Sequence, residues 1–130
     1  MKRHILFIDD DEDELMLFID ALNEVNIPYK CTWAKSGEHA LKQLTYFTPD
    51  IIFLDLNMPC MNGIDCLEAI KRQPRLKDCP VVLHSTAMTA DWRNKGMRQG
   101  AAACLIKAET SSNLVLLMAQ LIPPDPIAVL

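Results

Sequence analysis

Residues 51–63 read IIFLDLNMPCMNG. Four apolar residues run without alternation and stop at a carboxylate, Asp55. A short continuous apolar run bounded by polar residues is what a strand buried on both faces requires, and such strands belong to parallel sheets. An ionised carboxylate where that strand leaves the core is costly unless something pairs with it or coordinates it. Other groups must therefore converge on Asp55.

The pattern repeats along the chain. ILFI (5–8), VVL (81–83) and CLI (104–106) are short apolar runs of the same kind, each expected to be buried on both faces. YKCTWA (29–34) alternates instead, with Tyr29, Cys31 and Trp33 on one side, which suits an edge strand. Between them lie helical segments. Leu15, Phe18, Ile19 and Leu22 form one apolar stripe from about Glu12 to Asn26. Ser36 is placed to cap a second helix carrying Ala40, Leu41 and Leu44, which must end before Pro49. Ile64, Leu67 and Ile70 mark a third, ending near Pro74. A fourth spans about Ala90 to Gln99 behind Thr89, and is weakened by Gly96, which costs roughly 1 kcal/mol against Ala. The fifth runs from about Ser112 to Leu121 and is stopped by Pro123 and Pro124. Five strands alternating with five helices indicate an α/β domain: a flavodoxin-like, doubly wound, five-stranded parallel sheet of order 2-1-3-4-5.

Composition narrows the class. The 130 residues suit one domain, expected over 1–122 with a Pro-rich tail over 123–130. A net charge of −4 and the lack of a basic stripe argue against nucleic acid as a partner. The N-terminal apolar run is only four residues long and six acids follow it, so no export signal is read and a cytoplasmic location is expected. The longest mostly apolar run, Leu114 to Ile122, is far short of the roughly 20 residues that span a bilayer, so no membrane segment is expected. Five cysteines without a C-x-x-C pair indicate neither a disulfide framework nor zinc, and read as small hydrophobes.

In sheets of this kind ligands bind at the carboxyl ends of the strands, where strand order reverses. Each buried strand ends there in a polar residue: Asp9 and Asp10, Asp55, Ser85, and Lys107. Crowded carboxylates need a proton or a cation at neutral pH. Hard oxygen ligands with few protein donors suit Mg²⁺ shared with a phosphate, and a hydroxyl and an ammonium suit phosphoryl oxygens. The set points to phosphoryl transfer onto Asp55. Asp11, Glu12, Asp13 and Glu14 instead complement a helix N-terminus.

From Ile5 to Leu121 these residues resemble the receiver domain of bacterial response regulators. The resemblance rests on the acidic pair after strand 1, on D-x-N-M-P with Gly63 eight residues after the Asp, and on a hydroxyl five residues after Pro80. G-A before strand 5 and the terminal Lys107 complete it. It implies Asp55 as phosphoacceptor, Asp10 as a direct Mg²⁺ ligand with Asp9 acting through water, and the Asn57 backbone carbonyl completing the metal shell. Ser85, the backbone N–H of Thr86, Lys107 and Asn57 would contact phosphate oxygens, and Lys107 would pair with Asp55 before modification. Ser85 is preferred to Thr86 by counting from Pro80 and from Lys107. The implied function is a stand-alone, chemotaxis-regulator-like switch that takes its phosphoryl group from a histidine kinase or phosphotransfer protein and signals by protein contact. Gly63 is expected to let the loop turn away.

Two positions depart from the family pattern. Ala108 stands where the family has a cis proline, and because a cis non-proline bond costs roughly 2.5 to 4 kcal/mol, a trans bond and a reshaped loop are expected. Cys104 stands where an aromatic side chain often swings, so any switch must move the loop after Ser85 and the fourth helix. Leu114, Leu117, Met118 and Leu121 are expected to face inward on the fifth helix. Val115, Leu116 and Ile122 leave apolar flanks that suit a protein interface, including a homodimer through helix 4, strand 5 and helix 5, or cover by the tail; Trp92 extends that surface or packs on its own domain. The alternatives are a receiver-like binding module that is never phosphorylated, and a phosphatase of the haloacid dehalogenase kind. The first would lose an acidic or Lys position, and none is lost. The second needs an Asp where Asn57 stands, and a cap domain besides.

Overall fold

The computed structural model describes residues 3–25 and 28–122. Five strands, β1 Arg3–Ile8, β2 Tyr29–Ala34, β3 Ile51–Asp55, β4 Val81–Ser85 and β5 Ala103–Ile106, pair in parallel in the order β2-β1-β3-β4-β5. Five helices cover the sheet: α1 Glu12–Val25, α2 Gly37–Gln43, α3 Gly63–Lys71, α4 Ala90–Arg98 and α5 Thr110–Leu121. The strand order and the alternation follow the pattern of apolar runs.

Alternating side chains of each strand feed two separate cores. Ile5, Phe7, Ile51, Phe53 and Val82 pack with Phe18 and Leu22 of α1 and Leu114 and Met118 of α5. Leu6, Ile8, Ile52, Leu54 and Leu83 pack with Ala40 of α2 and Ile64, Leu67 and Ile70 of α3. Because a strand's side chains alternate faces, a strand that is apolar at every position is the only kind that can serve both layers.

Caps hold the helices where the polar residues precede the stripes. Ser36 Oγ accepts from His39 N at 3.0 Å and Thr89 Oγ1 from Trp92 N at 3.2 Å, both as expected. Asn62 Oδ1 caps α3 by accepting from Asp65 N at 2.9 Å, a third cap that the reading passed over.

The structure corrects several expectations. CLI is not buried on both faces: β5 is the second edge of the sheet, and only Leu105 among its residues is buried. On α1, Ala21 is buried and Ile19 only half-buried, so the inward stripe runs through Leu15, Phe18, Ala21, Leu22 and Val25. Along α5, Leu114 and Met118 are buried and Leu117 and Leu121 pack partly buried against the same core, as expected, while Ile122, just past the helix, is buried and not an exposed flank. Asn26 and the tail 123–130 lie outside the described residues. The weakness assigned to Gly96 has a packing reason: a Cβ there would lie 2.4 Å from Leu83 Cδ1, so a larger residue must push that side-chain tip aside for α4 to lie this close to β4. No helix among the described residues is long and apolar enough to cross a membrane.

Candidate functional site

The carboxyl ends of β1, β3, β4 and β5 bring together Asp9, Asp10, Asp55, Ser85 and Lys107. Asp9 follows β1 and is fully buried. Its backbone N–H donates to Ala34 O, its Oδ1 accepts from Asp11 N at 3.0 Å, and its carbonyl accepts from Trp33 Nε1 at 2.8 Å. Asp10, next along, is exposed. Asp55 ends β3 and is 3% exposed. One carboxylate oxygen from each of the three acids lies within 4.8 Å of the others. This hard-oxygen donor set fits a small divalent cation, and the exposed Asp10 leaves the cluster open on the solvent side.

Lys107 crosses from β5 to neutralise part of the cluster. Its Nζ is 2.9 Å from Asp9 Oδ2, an ion pair whose geometry falls short of an aligned hydrogen bond, and 3.6 Å from Asp55 Oδ1. Burial pushes the ammonium pKa down, but the facing Asp9 and Asp55 carboxylates push harder and leave it above its ordinary 10.5. Asp55 goes the other way from an ordinary carboxylate. Burial first and the Asp9 charge second raise it to about 6, against the opposing pull of Lys107 and the backbone N–H of Asn57. Asp55 Oδ1 takes both the Asn57 N–H, at 3.2 Å, and the nearer approach of Lys107. Oδ2 is left without a hydrogen bond to any described residue.

Ser85 ends β4, is fully buried, and accepts a hydrogen bond at 2.9 Å from Asn57 Nδ2. A hydroxyl that accepts one bond keeps its own proton to donate. Thr86 lies just beyond the strand and is exposed. Asn57 is exposed, and its side chain bridges to Ser85 while its N–H holds Asp55; the side-chain bridge was not read from the sequence, because a D-x-N spacing specifies position and not what the amide touches.

The loop after Asp55 is shaped by close approach. At Gly63 a Cβ would stand 2.5 Å from Asp55 O and 2.6 Å from Leu56 Cα, while Gly63 N donates to Leu56 O at 2.8 Å. Glycine is needed there for space and not for a left-handed turn. The left-handed residue in this loop is Cys60, at φ 70°. On the other side of the site the Lys107–Ala108 bond is trans, as expected, and Lys107–Glu109 form a single 3-10 turn whose first carbonyl accepts from Thr110 Oγ1 at 2.9 Å. The cysteines behave as small hydrophobes where buried: burial pushes the Cys66 thiol up to about 12 and Cys79 to about 11.

Comparison with known proteins gives the family and the fold. The family model described as the response regulator receiver domain matches residues 5–119. The chain is 32% identical over 111 residues to the transcriptional regulatory protein PrrA of Mycobacterium leprae, an alignment covering 85% of this chain and 46% of that protein. The chain thus spans about half the length of that relative. Among solved structures, the phosphorylated cyanobacterial phytochrome response regulator RcpA superposes with a TM-score of 0.79 at 26% identity, covering 92% of this chain and 91% of that one. The chemotaxis protein CheY4 of Vibrio cholerae shares the fold, with a TM-score of 0.83 at 24% identity, covering 94% of this chain and all of that one.

Proposed function

Because this chain belongs to the response regulator receiver family, we propose that it is a phosphorylation-dependent switch whose phosphoacceptor is Asp55. The observation that carries the reading is the meeting of three carboxylates, a hydroxyl and an ammonium from four separate strand ends. Asp55 Oδ1 is held by Asn57 N–H and Lys107, so Oδ2 is the oxygen free to attack phosphorus. The new P–O bond forms as the donor's bond to phosphorus breaks. For a phosphohistidine of a kinase or phosphotransfer protein, the departing electron pair stays on the imidazole nitrogen.

Asp10 and Asp55 would hold Mg²⁺ directly, with the Asn57 carbonyl, while buried Asp9 acts through water. When bound there, the ion neutralises the crowded carboxylates and draws negative charge from the phosphoryl oxygens. Ser85 keeps its hydroxyl proton for a phosphoryl oxygen, the backbone N–H of Thr86 offers a second donor, Asn57 contacts the same oxygens, and Lys107 a fixed positive charge. We place the receiver domain over 1–122 and its action in the cytoplasm. The output contact is assigned to the face of α4, β5 and α5, where Trp92, Met97, Val115 and Leu116 are 39%, 47%, 53% and 56% exposed. A downstream protein or a second copy of the chain is the partner this face suits.

The test is intact mass after incubation with Mg²⁺ and a small acyl phosphate. The unmodified sequence should gain one phosphoryl group and Asp55→Asn none. Bound Mg²⁺ with no added phosphate would show a binding module instead.

A further inference from the structure

His84 is a polar side chain set into the aromatic layer between the sheet and α1 and α5, and phosphoryl transfer makes no use of it. Its ring stacks on Phe7 with centroids 5.2 Å apart and is 3% exposed. Among the described residues its Nε2 has no hydrogen-bond partner. Burial, reinforced by the Lys107 charge, pushes its pKa down to about 3, so the imidazole stays neutral. A buried nitrogen without a partner is costly and needs an explanation.

The same ring borders a cavity of about 150 Å³ whose walls include Phe7, Phe18 and Phe53, with Glu14 and Lys107 among its polar borders. Phe18 lies against both other rings, with centroids 4.5 Å from Phe7 and 4.7 Å from Phe53. A cavity of about 150 Å³ is large enough to admit benzene. The phenyl wall suits the face or edge of another ring, and the polar side of the cavity, with Glu14, Lys107, Thr110 and Ser111, faces the ligand's hydroxyl end. We propose that this cavity is a binding site for a ring-sized ligand bearing one hydroxyl, with the ring against the wall that Phe7, Phe18 and Phe53 form and the hydroxyl bonded to His84 Nε2. Size, wall chemistry and the unpartnered nitrogen each point to the same class of ligand.

The probes are phenol and benzene, titrated into the full, unphosphorylated chain and followed by amide and imidazole ¹⁵N NMR. Both should shift amides of α1 and α5 saturably. Phenol should bind about tenfold more tightly, the value of one net hydrogen bond, and should alone shift the His84 ring nitrogens. His84→Leu should remove phenol's advantage while benzene still binds. Leu17 also borders the cavity and is 62% exposed, so Leu17→Trp should block both probes without disturbing the core. Failure of phenol to saturate, an unchanged phenol affinity in His84→Leu, or binding that survives Leu17→Trp would each overturn the proposal. If His84→Leu does not fold, the phenol-to-benzene ratio on the parent chain and the Leu17→Trp variant decide it.

Discussion

Lys107 sits closer to Asp9 than to Asp55, at 2.9 Å against 3.6 Å. The ammonium is thus held by the acid assigned the lesser role, and Asp55 is only partly neutralised. Asp9→Asn should break this arrangement in two ways at once, by releasing Lys107 toward Asp55 and by removing the second largest cause of the raised Asp55 pKa. The Asp55 carboxyl should then titrate well below about 6, as followed by its ¹³C resonance without metal. An unshifted titration would mean that burial alone sets it.

The raised Asp55 pKa also sets a pH dependence of stability. The folded chain keeps this proton to a higher pH than the unfolded chain does, so the stabilisation is complete below about 3.8 and is lost as pH rises through about 6. Metal-free thermal unfolding should show Tm falling across that window from this group. Asp55→Asn should flatten the fall and raise Tm at pH 7, and added Mg²⁺ should raise the parent Tm at pH 7 by binding the folded form.

Two glycines should respond unequally to alanine. At Gly96 the added Cβ meets the tip of the Leu83 side chain, so about 1 kcal/mol of better helix propensity offsets part of the clash and the net loss should be about 1–2 kcal/mol. At Gly63 it meets the backbone of Asp55 and Leu56, which cannot turn aside, and the loss should be at least about 3 kcal/mol. Urea unfolding of the two variants measures the difference, and Gly63→Ala should also lower phosphoryl uptake by displacing Asp55.

Trp33 donates to the Asp9 carbonyl at 2.8 Å, which makes its indole a reporter of the acidic loop. Its fluorescence should change saturably with Mg²⁺. Trp92→Phe should keep the signal and Trp33→Phe should abolish it.

Much of the fold was legible because buried parallel strands are written locally, as runs such as IIFL and ILFI. The candidate acids and Lys107 were legible for the same reason, since each follows such a run. What escaped the reading depends on partners distant in sequence. That β5 is an edge follows from how many strands lie beyond it, and the pairing of Lys107 with Asp9 follows from side-chain reach. The need for Gly63 comes from its close approach to the backbone of Asp55 and Leu56, which spacing alone does not show, while the left-handed turn fell to Cys60. His84 was missed although its signal was present: an imidazole inside VVLHS, on a strand otherwise apolar to its last residue.

The backbone bond from Gly63 to Leu56 closes the neck of a small loop between β3 and α3, and Met61 in that loop packs on the core layer beside Gly37 of α2. Anchored at its base and at Met61, the loop ties the carboxyl end of β3 to α2 as well as to α3. Replacing Met61 would therefore be felt at α2 and at the end of β3 together.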